Sequence, residues 1–397
     1  MRTALARPRY RLAAAAAVIV VAAAILVPIL LLPGSKPNGA TAGGNTSGGT
    51  SGGNASGGSG ASGKSAAKGK TTSPGSAGAS STAAAPDVTH VAITPDKALT
   101  NPGGYVDSFS FTPNGKTLAT ADSTGAIRLW DVNTGASTPL PDPNRQGAFG
   151  VVVSPDGRTI AASAENGGKV YLWNAATRTF ANTLPDPDQT TIDSIAFSPD
   201  SKTLAAASDD ANVYLWNLAS DSTIATLPAP RFCNHAYSAA FSPDGKTLAV
   251  NCMNGEIALW NIADRRVTAL TDPNGLEGEA IAYSPNGKQL ALGDHNGTTY
   301  LWNAASRTVA ATLYEGQPGS SSVEDVAFSQ DGGLLAAANF DGHTYVWSTV
   351  SHDLLSALAD PGGDPVERVA FARDGKLLAT GDDNGHIRLW HVAETVG

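Results

Sequence analysis

Phe241-Ser242-Pro243-Asp244-Gly245-Lys246-Thr247-Leu248-Ala249 decides how the rest of the chain is read. Pro fixes φ and Gly supplies a position needing positive φ, so these residues carry a tight turn between two strands. The second strand, Leu248 to Cys252, runs into Asn254-Gly255, the pair favoured in two-residue hairpin turns. A third strand ends on Trp260, and a short fourth follows over Val267 to Leu270. One unit is a four-stranded meander.

The unit recurs. Phe111-Thr112-Pro113-Asn114-Gly115, Phe197-Ser198-Pro199-Asp200-Ser201 and Tyr283-Ser284-Pro285-Asn286-Gly287 repeat the turn, and Phe328-Ser329-Gln330-Asp331-Gly332 and Phe371-Ala372-Arg373-Asp374-Gly375 keep its acid and glycine. All seven tryptophans, Trp130, Trp173, Trp216, Trp260, Trp302, Trp347 and Trp390, close such units at gaps of 43, 43, 44, 42, 45 and 43. A lone four-stranded sheet leaves both faces wet, so the repeats must stack, and radial stacking closes a propeller. The expected fold is all-β, a seven-bladed propeller over residues 87–397.

The period, the Ser-Pro-Asp-Gly-Lys turn and the Leu-Trp-Asn or Leu-Trp-Asp endings resemble WD40 repeats over roughly residues 88–397. The resemblance implies a platform for binding other molecules, without catalysis. The chain stops seven residues after Trp390, too early for a fourth strand. His90-Val91-Ala92-Ile93 and Lys97 to Gly104 resemble a fourth strand and its loop, so the N-terminal segment is expected to supply the outer strand of the last blade.

The chain departs from the family in its polar positions. The Gly-His position reads Pro102, Asn144, Asp188, Phe232, Asn274, Gly319 and Gly362, and the Ser/Thr position reads Asp122, Glu165, Ser208, Cys252, Asp294, Asn339 and Asp382. The family's Trp-centred network is therefore absent, leaving Trp and Phe burial plus turn chemistry as the expected sources of stability. The resemblance brings the Cys233 and Cys252 positions close enough for a disulfide; the alternative is two separate buried thiols.

Family members bind partners on the rim where each blade's first strand starts. The matching positions give Asp107, Phe149, Asp193, Tyr237, Glu279, Glu324 and Glu367, with Tyr105, His235 and Glu277 two residues earlier. Carboxylates and aromatics at one channel mouth attract basic or amine-bearing partners such as a peptide. The competing account makes them solvated loop acids.

The N-terminal part differs in kind. Arg2, Arg7, Arg9 and Arg11 form a basic stretch over residues 1–11, and Leu12 to Leu32 is apolar. Those 21 residues would span about 30 Å as a helix, enough for a bilayer. The flanking arginines predict a cytoplasmic N-terminus and an exported body, through an uncleaved signal anchor or a cleaved signal peptide. Residues 33–86 are low-complexity Gly, Ser, Ala and Thr and are expected to form a disordered linker. The expected localisation is the cell membrane, with a single pass and a monomeric, extracytoplasmic propeller. In this it resembles bacterial WD40 proteins, some of which serve as the sensor of a Ser/Thr kinase, but this chain carries no kinase signature.

Charge narrows the function further. The formal net charge is −9, but residues 1–87 carry +7 and the remainder −16, which disfavours nucleic-acid binding. No catalytic motif, metal-ligand spacing or cofactor fingerprint stands out, so no cofactor is expected. Two other readings stay open: a hydrolase using channel-mouth carboxylates, and a purely structural cell-envelope scaffold.

Overall fold

Near-continuous burial runs through the second and third strand of every repeat, because both are sandwiched between neighbouring sheets. Thr203–Ser208 and Val213–Asn217 are buried almost throughout, because small Ala205, Ala206 and Ala207 let the next blade approach. The fourth strands, such as Ser222–Leu227, are mostly exposed and carry the outer surface. In the computed structural model, the described residues are 84–141, 148–164, 167–186, 188–228, 230–233, 235–275, 277–314 and 321–396, without the Phe149 side chain.

These residues form twenty-eight strands in seven four-stranded antiparallel sheets. First strands of neighbouring blades touch one another all the way around, the last meeting the first, so the ring is closed. All seven tryptophans are buried. No helix among the described residues is long and apolar enough to cross a membrane, and the basic stretch 1–11, the apolar run 12–32 and almost all of the 33–86 linker lie outside them.

Closure follows the expectation. The last sheet has the order Val88–Thr100, His386–Val396, Leu377–Asp382, Val366–Phe371, so the first strand in sequence is the outermost strand of the last blade. Its ladder continues beyond Trp390↔Pro95 to Val88↔Val396, longer than in any other blade. The extension lies over the sixth blade, where Val88 and Val91 join the cluster of Leu334, Ala336 and Val346. Gly333 is required there: a Cβ would lie 2.8 Å from both Pro86 and Val88.

One acid pair sits in this extension. Burial pushes the Glu394 carboxyl up to about 7, and the neighbouring Asp331 adds to the rise. A carboxyl whose folded value lies above its unfolded one costs nothing at low pH and its full penalty above about 7. Glu394→Gln is therefore expected to raise Tm at pH 8 by about 2 °C and leave it unchanged at pH 4, measured by thermal unfolding. An equal shift at both pH values would contradict the charge origin.

Two expectations are corrected. The Asn-Gly connections are not two-residue turns with both residues left-handed. Gly255, Gly297, Gly342 and Gly385 have φ between 77° and 88°, while the residue before each does not. A three-residue connection results in each, and in the fifth and seventh blades the aspartate at the end of the second strand caps it. Asp294 Oδ1 accepts from the N–H groups of Asn296 (3.1 Å) and Thr298 (2.8 Å), and Asp382 Oδ1 accepts from those of Asn384 and His386 (2.9 Å each).

Polar contacts also do more than was expected. Trp130 and Trp390 donate to the hydroxyls of Thr120 and Thr380, at 3.0 Å each, and Trp173 donates to the Pro141 carbonyl at 2.9 Å. In the third blade Thr190 and Ser208 both donate to Asp186, at 2.9 and 3.2 Å. Thr120 and Thr380 lie two residues before the family's Ser/Thr position, read here as Asp122 and Asp382.

Candidate functional site at the channel mouth

Each first strand starts at one end of the ring and runs to the Pro-Asp-Gly turn at the other. The second strand returns, so its closing turn stands beside the start of the first strand. This topology assembles the mouth from two kinds of segment: residues entering the first strands and residues just after the second strands. Neighbouring first strands are stitched through side chains three positions before the blade's aromatic. Ser194 accepts from the Ala239 N–H at 3.2 Å, and Asp325 accepts from the Val369 N–H at 3.1 Å.

The expected rim residues do not behave alike. Asp107 and Glu367 are 4% and 3% exposed, so they line the wall and do not face solvent. Arg368, between them, donates to the carbonyls of Asp107 (2.5 Å) and Glu367 (2.8 Å) and ties the seventh blade to the first. The expected five carboxylates are therefore not equally exposed, and on this side Arg368 also reaches the Glu324 carbonyl of the sixth blade at 3.4 Å. Tyr105 is half-buried at the edge of this sector, and its carbonyl accepts from the Ser123 N–H at 3.0 Å. The Phe149 side chain lies outside the described residues.

The other side of the mouth is acidic and more exposed on the whole, although the Glu279 side chain is itself only 6% exposed. Asp193, His235, Tyr237, Glu277, Glu279 and Glu324 come together on blades three to six. His235 Nε2 lies 3.1 Å from Asp193 Oδ2 and 3.1 Å from Asp209 Oδ1, and its ring packs on Tyr237 at 4.5 Å between centroids. His295 Nδ1 lies 3.4 Å from Glu279 Oε1. Ser322 donates to Glu324.

Sequence reasoning missed Asp209 and His295. Both directly follow the family's Ser/Thr position, as residues after Ser208 and Asp294. Carrying the repeat alignment one position further would have found them. It also missed buried acids after the fourth strands, Asp186, Asp272 and Asp360, although Leu184-Pro185-Asp186-Pro187, Leu270-Thr271-Asp272-Pro273 and Leu358-Ala359-Asp360-Pro361 repeat a legible signal.

Proximity alters the acid–base character of the group. Burial raises Asp193 to about 6, His235 opposes the rise, and Asp209 adds to it. Burial also raises Glu277, helped by Glu279 and opposed by His295 and His235. The Glu279 hydrogen bond raises His295, with Glu279, Glu324 and Glu277 acting the same way. The mouth is a negative sector that gains protons in mildly acidic solution.

Cys233 and Cys252 are joined in a disulfide with a Cα separation of 5.3 Å, and no free cysteine remains. The bridge fixes the loop that carries His235 two residues later. Met253 N–H donates to the His235 carbonyl at 3.1 Å and holds the loop from the other side.

Seven sheets, each closed by a buried tryptophan and opening on a shared mouth, define a WD-repeat β-propeller. A family model described as IFT122 first beta-propeller matches residues 147–396, and one described as WD domain, G-beta repeat matches residues 93–131. The chain belongs to the β-propeller family that the first of these models describes. Comparison with curated proteins gives no match.

Proposed function

We propose that the propeller is a non-catalytic binding platform, a scaffold or sensor, whose open acidic sector captures a basic segment of a partner protein. The observation that carries this is the gathering of Asp193, Asp209, Glu277, Glu279 and Glu324 on one side of the mouth, with Tyr237 and His235 as an aromatic contact. Like charges in a low-dielectric recess focus the field on an incoming cation, and an aromatic anchor supplies contact area.

The platform is tethered to the cell membrane by residues 12–32 and faces the extracytoplasmic side as a monomer. The four N-terminal arginines support that orientation. The disulfide agrees with it, since such bonds persist in oxidising compartments. Any link to a kinase runs through a separate partner.

The test is anisotropy of a labelled lysine-rich peptide with the full chain. Reversing the charge of Asp193, Glu279 and Glu324 to Lys is expected to weaken binding by at least tenfold, or about 1.4 kcal/mol. Binding should also weaken with added salt and at pH 5. Affinity that survives the charge reversal rules out the site.

The hydrolase reading draws on the same place, since Asp193, Asp209 and His235 form a close acid and imidazole group. Ester or phosphoester turnover by the full chain that His235→Gln abolishes would favour it. Turnover unaffected by that change dismisses it.

A further inference from the structure

Three fourth strands run into a buried aspartate: Asp186 after blade two, Asp272 after blade four and Asp360 after blade six. The backbone around the three is alike. Each aspartate N–H donates to a glycine carbonyl in the turn between its own blade's second and third strands, Gly168, Gly255 and Gly342, at 2.6, 2.8 and 2.7 Å. Each then uses one carboxylate oxygen to accept from the N–H two residues ahead, that of Asp188, Asn274 or Gly362, at 2.8 Å.

The second oxygen is where the three differ. In Asp186 it accepts from the hydroxyls of Thr190 and Ser208. In Asp360 it accepts from Arg388 Nε at 2.6 Å, and Arg388 Nη2 reaches on to Asp382 Oδ2 at 3.3 Å. In Asp272, which is 2% exposed, it is buried and meets no donor among the described residues. The sequence accounts for the difference. The residue ending the next blade's second strand is Ser208, Asp294 or Asp382, and the residue two before its tryptophan is Tyr214, Tyr300 or Arg388. Blade three thus offers a hydroxyl, and blade seven an acid with a guanidinium between the two carboxylates. Blade five keeps the acid and has a phenol at the guanidinium's position.

Neutral donors serve Asp294 and leave its charge in place. Its Oδ1 accepts from the N–H groups of Asn296 and Thr298, its Oδ2 meets the Asn296 side-chain NH2 at 2.7 Å, and the Asn274 side chain bonds to it as well. The charge of Asp294 acts on Asp272, and no lysine or arginine is paired with either acid among the described residues. His295 lies near Asp294, but its Nδ1 is turned to Glu279 at 3.4 Å. A buried carboxylate oxygen without a donor carries a desolvation cost that a cation removes.

We propose that one divalent, oxygen-seeking cation of the calcium type binds between Asp272 and Asp294, in the position that the Arg388 guanidinium takes between Asp360 and Asp382. Calcium takes about six to eight oxygens at roughly 2.3–2.6 Å and accepts amide, hydroxyl and water oxygens beside carboxylates. The Asn296 amide and the Thr298 hydroxyl, 2.8 Å apart, stand beside Asp294, and the amide presents its oxygen after a half-turn of its plane. Pro273, Asn274 and Gly275 are exposed and leave one side to water. An all-oxygen set with two carboxylates suits a hard divalent ion better than zinc or copper(I). The ion ties blade five to the loop that leads into Glu277, whose carbonyl accepts from the His295 N–H at 2.9 Å.

The test uses the full chain, stripped with a chelator and titrated with Ca²⁺ by calorimetry and by thermal unfolding. One saturable equivalent is expected, with a Tm that rises as Ca²⁺ is added. Asp272→Asn should weaken binding by about tenfold or more. Tyr300→Arg restores the seventh blade's arrangement, so it should abolish the response to Ca²⁺ and raise Tm in the ion's absence. The variant with Asp193, Glu279 and Glu324 changed to Lys should keep the equivalent, which separates this site from peptide capture. Absence of saturable binding overturns the proposal. So does an equivalent that Asp272→Asn leaves unchanged or that the rim variant removes. Should Tyr300→Arg fail to fold, Asp272→Asn decides.

Discussion

Deleting Val88–Thr100 is expected to abolish cooperative unfolding of the propeller. That strand is the outer edge of the last blade, and it pairs with His386–Val396 along the whole of the longer ladder. Val88, Val91 and Leu99 are each buried beneath it. Each such side chain contributes about 1.5–3 kcal/mol on burial, so the three together rival the net stability of a domain, about 5–15 kcal/mol. The deletion also exposes a bare edge on the Trp390 strand, which is a template for aggregation. Tryptophan fluorescence during thermal unfolding reads the result, and a separate peptide of residues 88–100 should restore the transition. A sharp transition at the native temperature in the deleted chain would show that the ring does not depend on this closure.

Trp216→Ala is expected to cost about 3–5 kcal/mol, the usual price of removing a large buried aromatic. Trp216 is 1% exposed and packs with Leu204, Tyr214 and Ile195 between the third blade and its neighbour. Replacement by Phe separates packing from hydrogen bonding. The Trp216 indole N–H meets no acceptor among the described residues, so Phe removes an uncompensated donor. Trp390→Phe instead strands the Thr380 hydroxyl, which accepts from Trp390 at 3.0 Å, and should cost about 1 kcal/mol more than Trp216→Phe. Chemical denaturation of the three variants measures this. Equal losses for the two Phe variants would remove the distinction between wedges with and without a polar partner.

The fold was legible because its signals are periodic and local. Seven tryptophans at near-constant spacing and the Ser-Pro-Asp-Gly turn fix strand order within each blade, and two similar segments at opposite ends of the chain disclose the closure. The mouth was only partly legible. Counting back from the blade's aromatic reaches Asp193, Glu279 and Glu324, but equivalent positions also give Asp107 and Glu367, which are buried. Arg368, three residues before its own aromatic, donates to the backbone carbonyls of Asp107, Glu324 and Glu367, contacts across blades that no repeat pattern encodes. Asp209 belongs to a different strand connection from Asp193, so its meeting with His235 across a blade seam is a product of the closed ring.

The polar turns show the same limit. Their glycines and acids mark where the chain reverses, yet the three-residue length of the Asn-Gly turns, and their capping by Asp294 and Asp382, are not written in the dipeptide.

The described chain enters the ring at residues 84–88, against Gly332 and Gly333 in a Pro-Asp-Gly-type turn of the sixth blade. Those turns occupy the end of the barrel-shaped ring farthest from the acidic opening. The two ends of the ring therefore differ in chemistry: acids and imidazoles gather at one, and proline and glycine turns, with the first described residues of the chain against them, at the other.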